Sequence, residues 1–287
     1  MWLHEFDRSV LLISSAPPTE VVDMKDAPRP SRAVRFRRAR RRRLGQHYLV
    51  DPDVVKKMIV AASILPTESV VEIGTGKGTL TKELAGLCSR LDGYEVDREN
   101  YLETLSKVHG SKASIHLADA FEERPDFDVL VSSLPYSRSQ DFIEWISQTK
   151  YDRAVVLLQE DFVKKVLSPP GTRNYRAVSV IAQISSEMKE IGRVNSNAFQ
   201  PPPRVGSQLI VMRPRTRLTE EQVSVVKKLF SLRRRKVSSV LARFALLGGA
   251  EERGERRIYS LTPEEVYEIC QRKASARNLS PHGPANV

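Results

Sequence analysis

The sequence predicts an α/β fold in which a doubly wound parallel sheet is followed by a small helical domain. From residue 51 onward, segments with strand patterns alternate with segments with helix patterns, as they do in sheets covered by helices on both faces. Strand patterns stop after Pro214, and only helical patterns continue. The chain has 287 residues, of which 40% are hydrophobic and 28% charged. This is ordinary globular composition, and the length suits one large domain or two smaller ones.

The first helix is predicted to begin at Asp51. Aspartate is a favoured N-cap residue, and Pro52 suits the first helical position. The apolar residues that follow recur at helical spacing, and they are Val54, Val55, Met58, Ile59 and Ala62.

Seven short apolar runs are predicted to be strands, at 69–73, 91–96, 114–119, 128–133, 153–159, 187–194 and 207–213. Helices are predicted between them at 78–90, 98–109, 141–147 and 174–185. Beyond Pro214, amphipathic patterns predict helices at 219–231 and 236–247, and Thr262 is the predicted N-cap of a further helix.

These elements predict four regions of the chain. Residues 1–43 are expected to be a disordered N-terminal segment, and residues 1–31 can also be an extension upstream of the true start. Residues 44–214 form the predicted sheet domain, residues 215–280 the helical domain, and residues 281–287 a tail.

The net charge of +11 is concentrated at the two flanks of the predicted sheet domain. Residues 32–43 contain eight arginines and no acidic residue. Residues 213–287 contain sixteen Lys and Arg against eight Asp and Glu, whereas residues 44–212 contain nineteen against twenty-two. This distribution predicts an anionic polymer bound by the arginine-rich arm and the helical domain.

Several classes of protein are excluded by composition. No apolar run approaches the roughly 18 residues of a membrane span, so no membrane partner is expected. Two cysteines, Cys88 and Cys270, cannot build a disulfide framework or a cysteine zinc site, and they fit a reducing, cytoplasmic location. The five histidines are scattered, so no metal site is expected.

A glycine-rich turn between the strand at 69–73 and the next helix is the strongest local motif. Gly74, Gly76 and Gly78 alternate with other residues, which lets the backbone turn tightly and approach a ligand. The G-x-G-x-G spacing differs from the G-x-G-x-x-G of dinucleotide sites, which argues against a nicotinamide enzyme. Glu72, two residues before the first glycine, is typical of S-adenosylmethionine sites.

Two further carboxylates are predicted at successive strand ends. Glu95 ends the second predicted strand, where it can accept both ribose hydroxyls of a nucleoside. Asp119 ends the third, where it can accept a hydrogen bond from an adenine amino group. Open α/β sheets bind ligands in the crevice at these carboxyl ends, so the three groups predict one nucleoside-binding cavity.

The fourth predicted strand ends in Ser133-Leu134-Pro135-Tyr136. A polar residue, a proline and an aromatic residue at this place match sites that methylate amines. Acceptors on the N–H groups of a base amine would draw its nitrogen toward tetrahedral geometry, and Tyr136 could stack on a flipped base.

Together these ordered motifs resemble the KsgA-type rRNA adenine dimethyltransferase family, over about Leu44 to Lys236. The motifs that carry the resemblance are LGQHYL (44–49), the glycine turn, Glu95, Asp119-Ala120, SLPY (133–136), LQE (158–160), GTRNYRAVSV (171–180), FQPPPRV (199–205) and the basic segment from Leu229 to Lys236.

The resemblance implies a Rossmann-like methyltransferase fold that binds S-adenosylmethionine and methylates N6 of two adjacent adenosines in the 3′-terminal hairpin of small-subunit rRNA. It assigns cofactor binding to Gln46, His47, Leu49, Gly74, Gly76, Glu95, Asp119, Ala120 and Ser133. It assigns the catalytic site to Ser133, Leu134, Pro135, Tyr136 and Phe199, with Phe199 facing the target base. The expected partner is rRNA in an immature small subunit, and a monomer is the default expectation.

The chain departs from the family at Ser133, where the family usually has asparagine. Serine keeps an acceptor but is two heavy atoms shorter, which bears on the rate and on the second methylation. Two alternatives to this activity remain open, the first favoured by Ser133 and the second by the shared Rossmann motifs. One is an assembly factor for the small subunit with little or no catalysis, and the other is a methyltransferase that acts on large-subunit rRNA.

Overall fold

The computed structural model describes residues 46–243 and 254–278, with the side chains of the last helix described as far as Lys273. The predicted arginine-rich arm (32–43), the end of the predicted helix 236–247 and the tail lie outside these residues.

The described chain contains a seven-stranded sheet with the order β4-β3-β2-β5-β6-β9-β7. Its strands are β2 (Ser69–Ile73), β3 (Arg90–Tyr94), β4 (Ala113–His116), β5 (Val129–Ser133), β6 (Arg153–Gln159), β7 (Ser186–Val194) and β9 (Ser207–Pro214). Strands β2 to β6 pair in parallel, as predicted. Strand β9 is antiparallel to both of its neighbours, β6 and β7. A loop without a crossover helix joins β7 to β9, and such a connection returns the chain in the opposite direction.

Two very short strands were not predicted from the sequence. Strand β1 (Tyr48–Leu49) pairs antiparallel with β8 (Phe199–Gln200), so that Leu49 lies opposite Phe199. This ladder joins two segments that are about 150 residues apart in the sequence. Because two residues carry no readable alternation, only the tertiary fold reveals it.

Helices cover both faces of the sheet, and further helices follow its last strand in the sequence. They are α1 (Pro52–Ala62), α2 (Thr79–Leu84), α3 (Arg98–Val108), α4 (Ala120–Glu123), α5 (Ser139–Ile146), α6 (Glu160–Val166), α7 (Ala177–Ser185), α8 (Glu220–Ser231), α9 (Val237–Arg243) and α10 (Pro263–Asn278).

Local sequence explains several helix boundaries. The Asp51 carboxylate accepts hydrogen bonds from the backbone N–H groups of Asp53 and Val54, which confirms it as the N-cap of α1. Helix α2 ends at Leu84, well before the predicted residue 90, because Gly86 follows and weakens the helix. Helix α6 was missed because its seven residues follow β6 without any intervening turn.

Two hydrophobic clusters lie on opposite faces of the sheet. Val129 and Val131 of β5 pack with α1 and α2, whereas Leu130 packs with α5 and α7. This alternation follows from the two-residue period of a strand. Helices α8 to α10 bury their apolar residues in the same cluster as α5 and α7, and the domain boundary near residue 214 stays a prediction. Within the described ranges we find no helix that is long and apolar enough to cross a membrane.

Candidate active site

A cavity of about 200 Å³ opens at the carboxyl ends of β2, β3 and β5. The structure brings most of the predicted site residues together around it. Those that line it are Gln46, His47, Leu49, Gly74, Gly76, Glu95, Asp119, Ala120, Ser133, Leu134 and Pro135. Two predicted residues, Tyr136 and Phe199, are not among the lining residues.

The glycine turn forms the floor of the cavity between β2 and α2. All three of its glycines have positive φ angles, 76° at Gly74, 55° at Gly76 and 73° at Gly78. Residues with a Cβ rarely adopt this conformation, which explains the alternate spacing of the glycines. A Cβ on Gly76 would also lie only 3.2 Å from the ring of Tyr48, so this glycine lets the two segments approach closely.

Glu72 places a buried carboxyl group beside this turn. Its side chain is 2% exposed, and its Oε2 atom has no hydrogen-bond partner within the described part of the chain. Burial raises the pKa of Glu72 to about 8, the Thr81 hydroxyl opposes this shift, and the Glu95 carboxylate adds to it. A cationic group of a ligand in the cavity would pair with the free oxygen and stabilise the ionised form of this carboxyl group.

Glu95 lies one residue beyond the end of β3 and not within the strand as predicted. Its Oε2 atom accepts a 2.8 Å hydrogen bond from the backbone N–H group of Gly76, and its Oε1 atom accepts a 2.8 Å hydrogen bond from the backbone N–H group of Asp97. Burial raises the pKa of Glu95, and these backbone hydrogen bonds oppose the shift. Each carboxylate oxygen can accept more than one hydrogen bond, so both remain able to bind vicinal hydroxyls.

Asp119 lies three residues beyond the end of β4, because that strand ends at His116 and not at residue 119. Its Oδ1 atom caps helix α4 by accepting a hydrogen bond from the Phe121 N–H group. Its Oδ2 atom lies 2.9 Å from the Arg138 Nη2 atom. Both oxygens of the Asp119 carboxylate, which is predicted to bind adenine, therefore already have a partner within the protein.

Arg138 is a site residue that sequence reasoning missed. Besides binding Asp119, its Nε atom lies 2.9 Å from the Asp141 carboxylate, and its guanidinium carbon lies 4.7 Å from the centre of the Phe121 ring. The available signal was an arginine placed two residues after the SLPY motif, close to several acidic residues.

The SLPY segment forms the wall opposite the glycine turn. Ser133 is half-buried at the end of β5, and Leu134 is buried. Pro135 lies close to Gly74, with its Cδ atom 3.5 Å from the position of a Cβ there. The segment and the glycine turn therefore face each other across the cavity.

Tyr136 lies next to the cavity and is fixed at both ends. Its hydroxyl is 2.6 Å from the Ser207 Oγ atom, and its ring centre is 5.7 Å from that of His47. Burial raises the pKa of Tyr136, so the hydroxyl stays neutral at physiological pH. His47 is in turn bound through Nδ1 to the Pro201 carbonyl at 2.8 Å.

Phe199 packs in the hydrophobic core and does not line the cavity. Its side chain is 4% exposed and lies in the cluster that contains Leu49, Val54 and Leu209. The arrangement leaves almost no surface of the ring for a stacked base. The predicted contact with the target base would need this side chain to move, and it stays a prediction.

Basic residues from two elements come close together at the surface. Burial and the like charges of Arg176 and Arg234 lower the pKa of the Arg233 guanidinium. Arg176 precedes α7, whereas Arg233 follows α8, so the fold adds Arg176 to the basic segment found in the sequence. We find no group of three or more potential metal ligands in the described ranges.

Comparison with known proteins identifies the family of this chain. The family model described as "Ribosomal RNA adenine dimethylase" matches residues 37–263. The chain belongs to this family. It is therefore an rRNA adenine methyltransferase, and the predicted Rossmann-like methyltransferase fold is confirmed.

Curated relatives from two organisms agree with this assignment. One from Pyrococcus abyssi, "Probable ribosomal RNA small subunit methyltransferase A", is 32% identical over 79% of this chain and 89% of its own length. One from Thermotoga maritima, "Ribosomal RNA small subunit methyltransferase A", is 30% identical over 84% of this chain and 88% of its own length.

Solved structures share the fold. A dimethyladenosine transferase from Plasmodium falciparum superposes with a TM-score of 0.70 at 23% identity, covering 80% of this chain and 98% of that one. The 23S rRNA methyltransferase ErmE superposes with a TM-score of 0.58 at 22% identity, covering 78% of this chain and 98% of that one.

Proposed function

We propose that the protein uses S-adenosylmethionine to dimethylate N6 of adenosines in the 3′-terminal hairpin of small-subunit rRNA. The observation that carries this proposal is the placement of three carboxylates, Glu72, Glu95 and Asp119, around one cavity whose opposite wall is the SLPY segment. The names of the curated relatives support the small subunit as the substrate class.

The cavity fits S-adenosylmethionine by the chemistry of its donor and acceptor groups. The free Oε2 atom of buried Glu72 matches an ammonium group, and Glu95 matches a pair of ribose hydroxyls. Asp119 and the adjoining backbone at Ala120 match the edge of an adenine ring. When bound, this cofactor supplies an electrophilic methyl group on its sulfonium.

Ser133, Leu134 and Pro135 would hold the target amine. The exocyclic amine of adenine is a weak nucleophile because its lone pair is delocalised into the ring. The Ser133 hydroxyl and backbone carbonyls of Leu134 and Pro135 would accept its N–H groups and align the lone pair with the methyl group. Each transfer releases one amine proton to solvent, so positioning matters more than a strong base.

Tyr136 would stack on the flipped adenine. Flipping a base out of its helix costs a few kcal/mol, which stacking on an aromatic ring offsets in part. The hydrogen bond to Ser207 and the neighbouring His47 ring restrict the motion of Tyr136. Arg176 and Arg233 would bind RNA phosphates, so affinity for the subunit should fall steeply as salt increases.

A second candidate function is favoured by one residue. Ser133 is shorter than the asparagine usual in the family, and a weakened acceptor would fit a protein that mainly times assembly of the small subunit. We expect a monomer that works on immature small subunits in the cytoplasm under either function.

The test is incubation of the purified protein with labelled S-adenosylmethionine and unmethylated small subunits, followed by nucleoside analysis. Dimethyladenosine supports the proposal and shows that Ser133 suffices. Monomethyladenosine alone, with dimethyladenosine restored by Ser133→Asn, assigns the limit to that side chain. No product, with both ligands bound normally, favours the assembly factor.

A further inference from the structure

Three polar side chains form a connected chain at one side of the cavity. The Tyr48 hydroxyl lies 3.0 Å from Gln46 Oε1 and 3.1 Å from Asn100 Oδ1. Tyr48 lies in β1 and Asn100 in the first turn of α3, and both are buried. All three residues line the cavity.

Asn100 has an amide atom left over. Its side chain is 5% exposed, and its Nδ2 atom has no hydrogen-bond partner among the described residues. A buried polar group without a hydrogen-bond partner destabilises a protein. An apolar residue at this buried position in the first turn of α3 would avoid the penalty. The presence of an amide here therefore indicates that it binds a ligand.

The hydrogen atoms available on these three side chains restrict which ligand group can bind there. A tyrosine hydroxyl has one proton and can donate it to only one of the two amide oxygens. The amide of either Gln46 or Asn100 must therefore be oriented so that its NH₂ group donates to Tyr48. If it is Gln46, the free atom of Asn100 is its NH₂ donor, and if it is Asn100, the free atom is its oxygen acceptor. A ligand hydroxyl can pair with either a donor or an acceptor, whereas an ammonium group can only donate and a carboxylate can only accept.

The position of Asn100 favours the sugar of the cofactor. The ring of Tyr48 lies against Gly76, and the Gly76 N–H group donates to Glu95, which is the carboxylate that matches the ribose. Asn100 therefore lies at the same end of the cavity as Glu95.

We propose that Asn100 binds a ribose hydroxyl of S-adenosylmethionine through its free amide atom, while Tyr48 holds the amide in place. The proposal rests on the proposed function, because S-adenosylmethionine is the ligand. Asn100 adds to the cofactor-binding set, and Tyr48 is a positioning residue that acts through the Asn100 amide.

The test compares binding of S-adenosylmethionine and of its 2′-deoxy and 3′-deoxy analogues by calorimetry. Asn100→Leu should bind S-adenosylmethionine about 10-fold more weakly, as expected for one lost hydrogen bond. In this variant the loss caused by removing one particular hydroxyl from the ligand should be smaller than in the wild type. Equal losses with both analogues in wild type and variant would overturn the proposal, as would unchanged affinity.

Two controls separate binding from folding. Tyr48→Phe keeps the ring against Gly76 and Lys77 and removes only the hydroxyl, so we expect a smaller loss of about 3-fold. Without ligand, Asn100→Leu should unfold at the same temperature as the wild type or higher, and a large decrease would assign Asn100 to structure.

If the wild type binds no S-adenosylmethionine, the proposed function fails with the inference. If it binds and Asn100→Leu binds equally well, only the inference fails.

Discussion

The two halves of the cavity are built in different ways. The cofactor half, with Glu72, the glycine turn and Glu95, consists of segments that follow successive parallel strands and bond to one another directly. The target half joins Tyr136 of the SLPY segment to Ser207, which lies 71 residues further along the chain. Glu72, the glycine turn and Glu95 are therefore close in sequence as well as in space, whereas the target half depends on packing between distant segments. Variants in each half should show this difference.

The largest effect on stability is expected from Phe199→Ala. Because the ring is buried in the core, its removal should lower the free energy of unfolding by about 3–5 kcal/mol. Urea unfolding followed by circular dichroism measures this. Phe162→Ala, at a half-buried position on α6, is the control and should cost less. A loss under about 1 kcal/mol together with lost methyl transfer would instead place Phe199 at the base.

Tyr136→Ala should separate the two halves most clearly. We expect methyl transfer to fall about 100-fold because a stacking surface is lost, with the affinity for S-adenosylmethionine unchanged. Tyr136→Phe keeps the ring and removes only the bond to Ser207, so most activity should remain. An equal fall in cofactor binding and transfer would be inconsistent with a stacking role.

Glu95→Gln should give the opposite pattern. The variant loses the charge that strengthens its hydrogen bonds, so affinity for S-adenosylmethionine should fall about 10- to 100-fold. Glu99→Gln, at an exposed position on α3, serves as the control. Calorimetry measures both, and unchanged affinity in Glu95→Gln would remove this carboxylate from the cofactor site.

Arg138→Ala tests a contact between the two halves. Losing the ion pair that orients Asp119 should weaken cofactor binding by about fivefold, since the pair is partly exposed. Asp141→Asn removes the partner of Arg138 that does not line the cavity, and we expect almost no change. If both variants bind alike, Arg138 does not act through Asp119.

Glu72 should make the stability of the fold depend on pH. Its pKa is raised from 4.5 to about 8, so the folded protein holds a proton that the unfolded chain releases between these values. The free energy of unfolding should therefore decrease as pH rises through this window. Glu72→Gln should match the wild type at pH 4 and melt about 3 °C or more above it at pH 9. Thermal scans with Glu83→Gln as an exposed control test this, and parallel profiles for Glu72→Gln and wild type would refute it.

The sequence predicted the seven strands of the large sheet and most of the longer helices, because each carries its own periodic pattern. It also predicted the glycine turn, since the positive φ angles there demand glycine. The predicted ends of the strands near Glu95 and Asp119 were two and three residues too far along the chain, because apolar patterns do not show where pairing stops.

Contacts between distant segments could not be read from the sequence. The β1–β8 ladder, the ion pair of Arg138 with Asp119 and the burial of Phe199 each depend on residues brought together only by the fold. The same limit applies to the direction of β9, which follows from its pairing between β6 and β7.

The measurement that tests the central claim most directly is mapping of methyl groups after incubation with S-adenosylmethionine and separated ribosomal subunits. Small and large subunits, both unmethylated, are offered in parallel, and modified positions are located by mass spectrometry of RNA fragments. We predict dimethylated adenosines only in the 3′-terminal hairpin of the small-subunit rRNA. Methylation confined to the large subunit, or none in either subunit, would contradict the account.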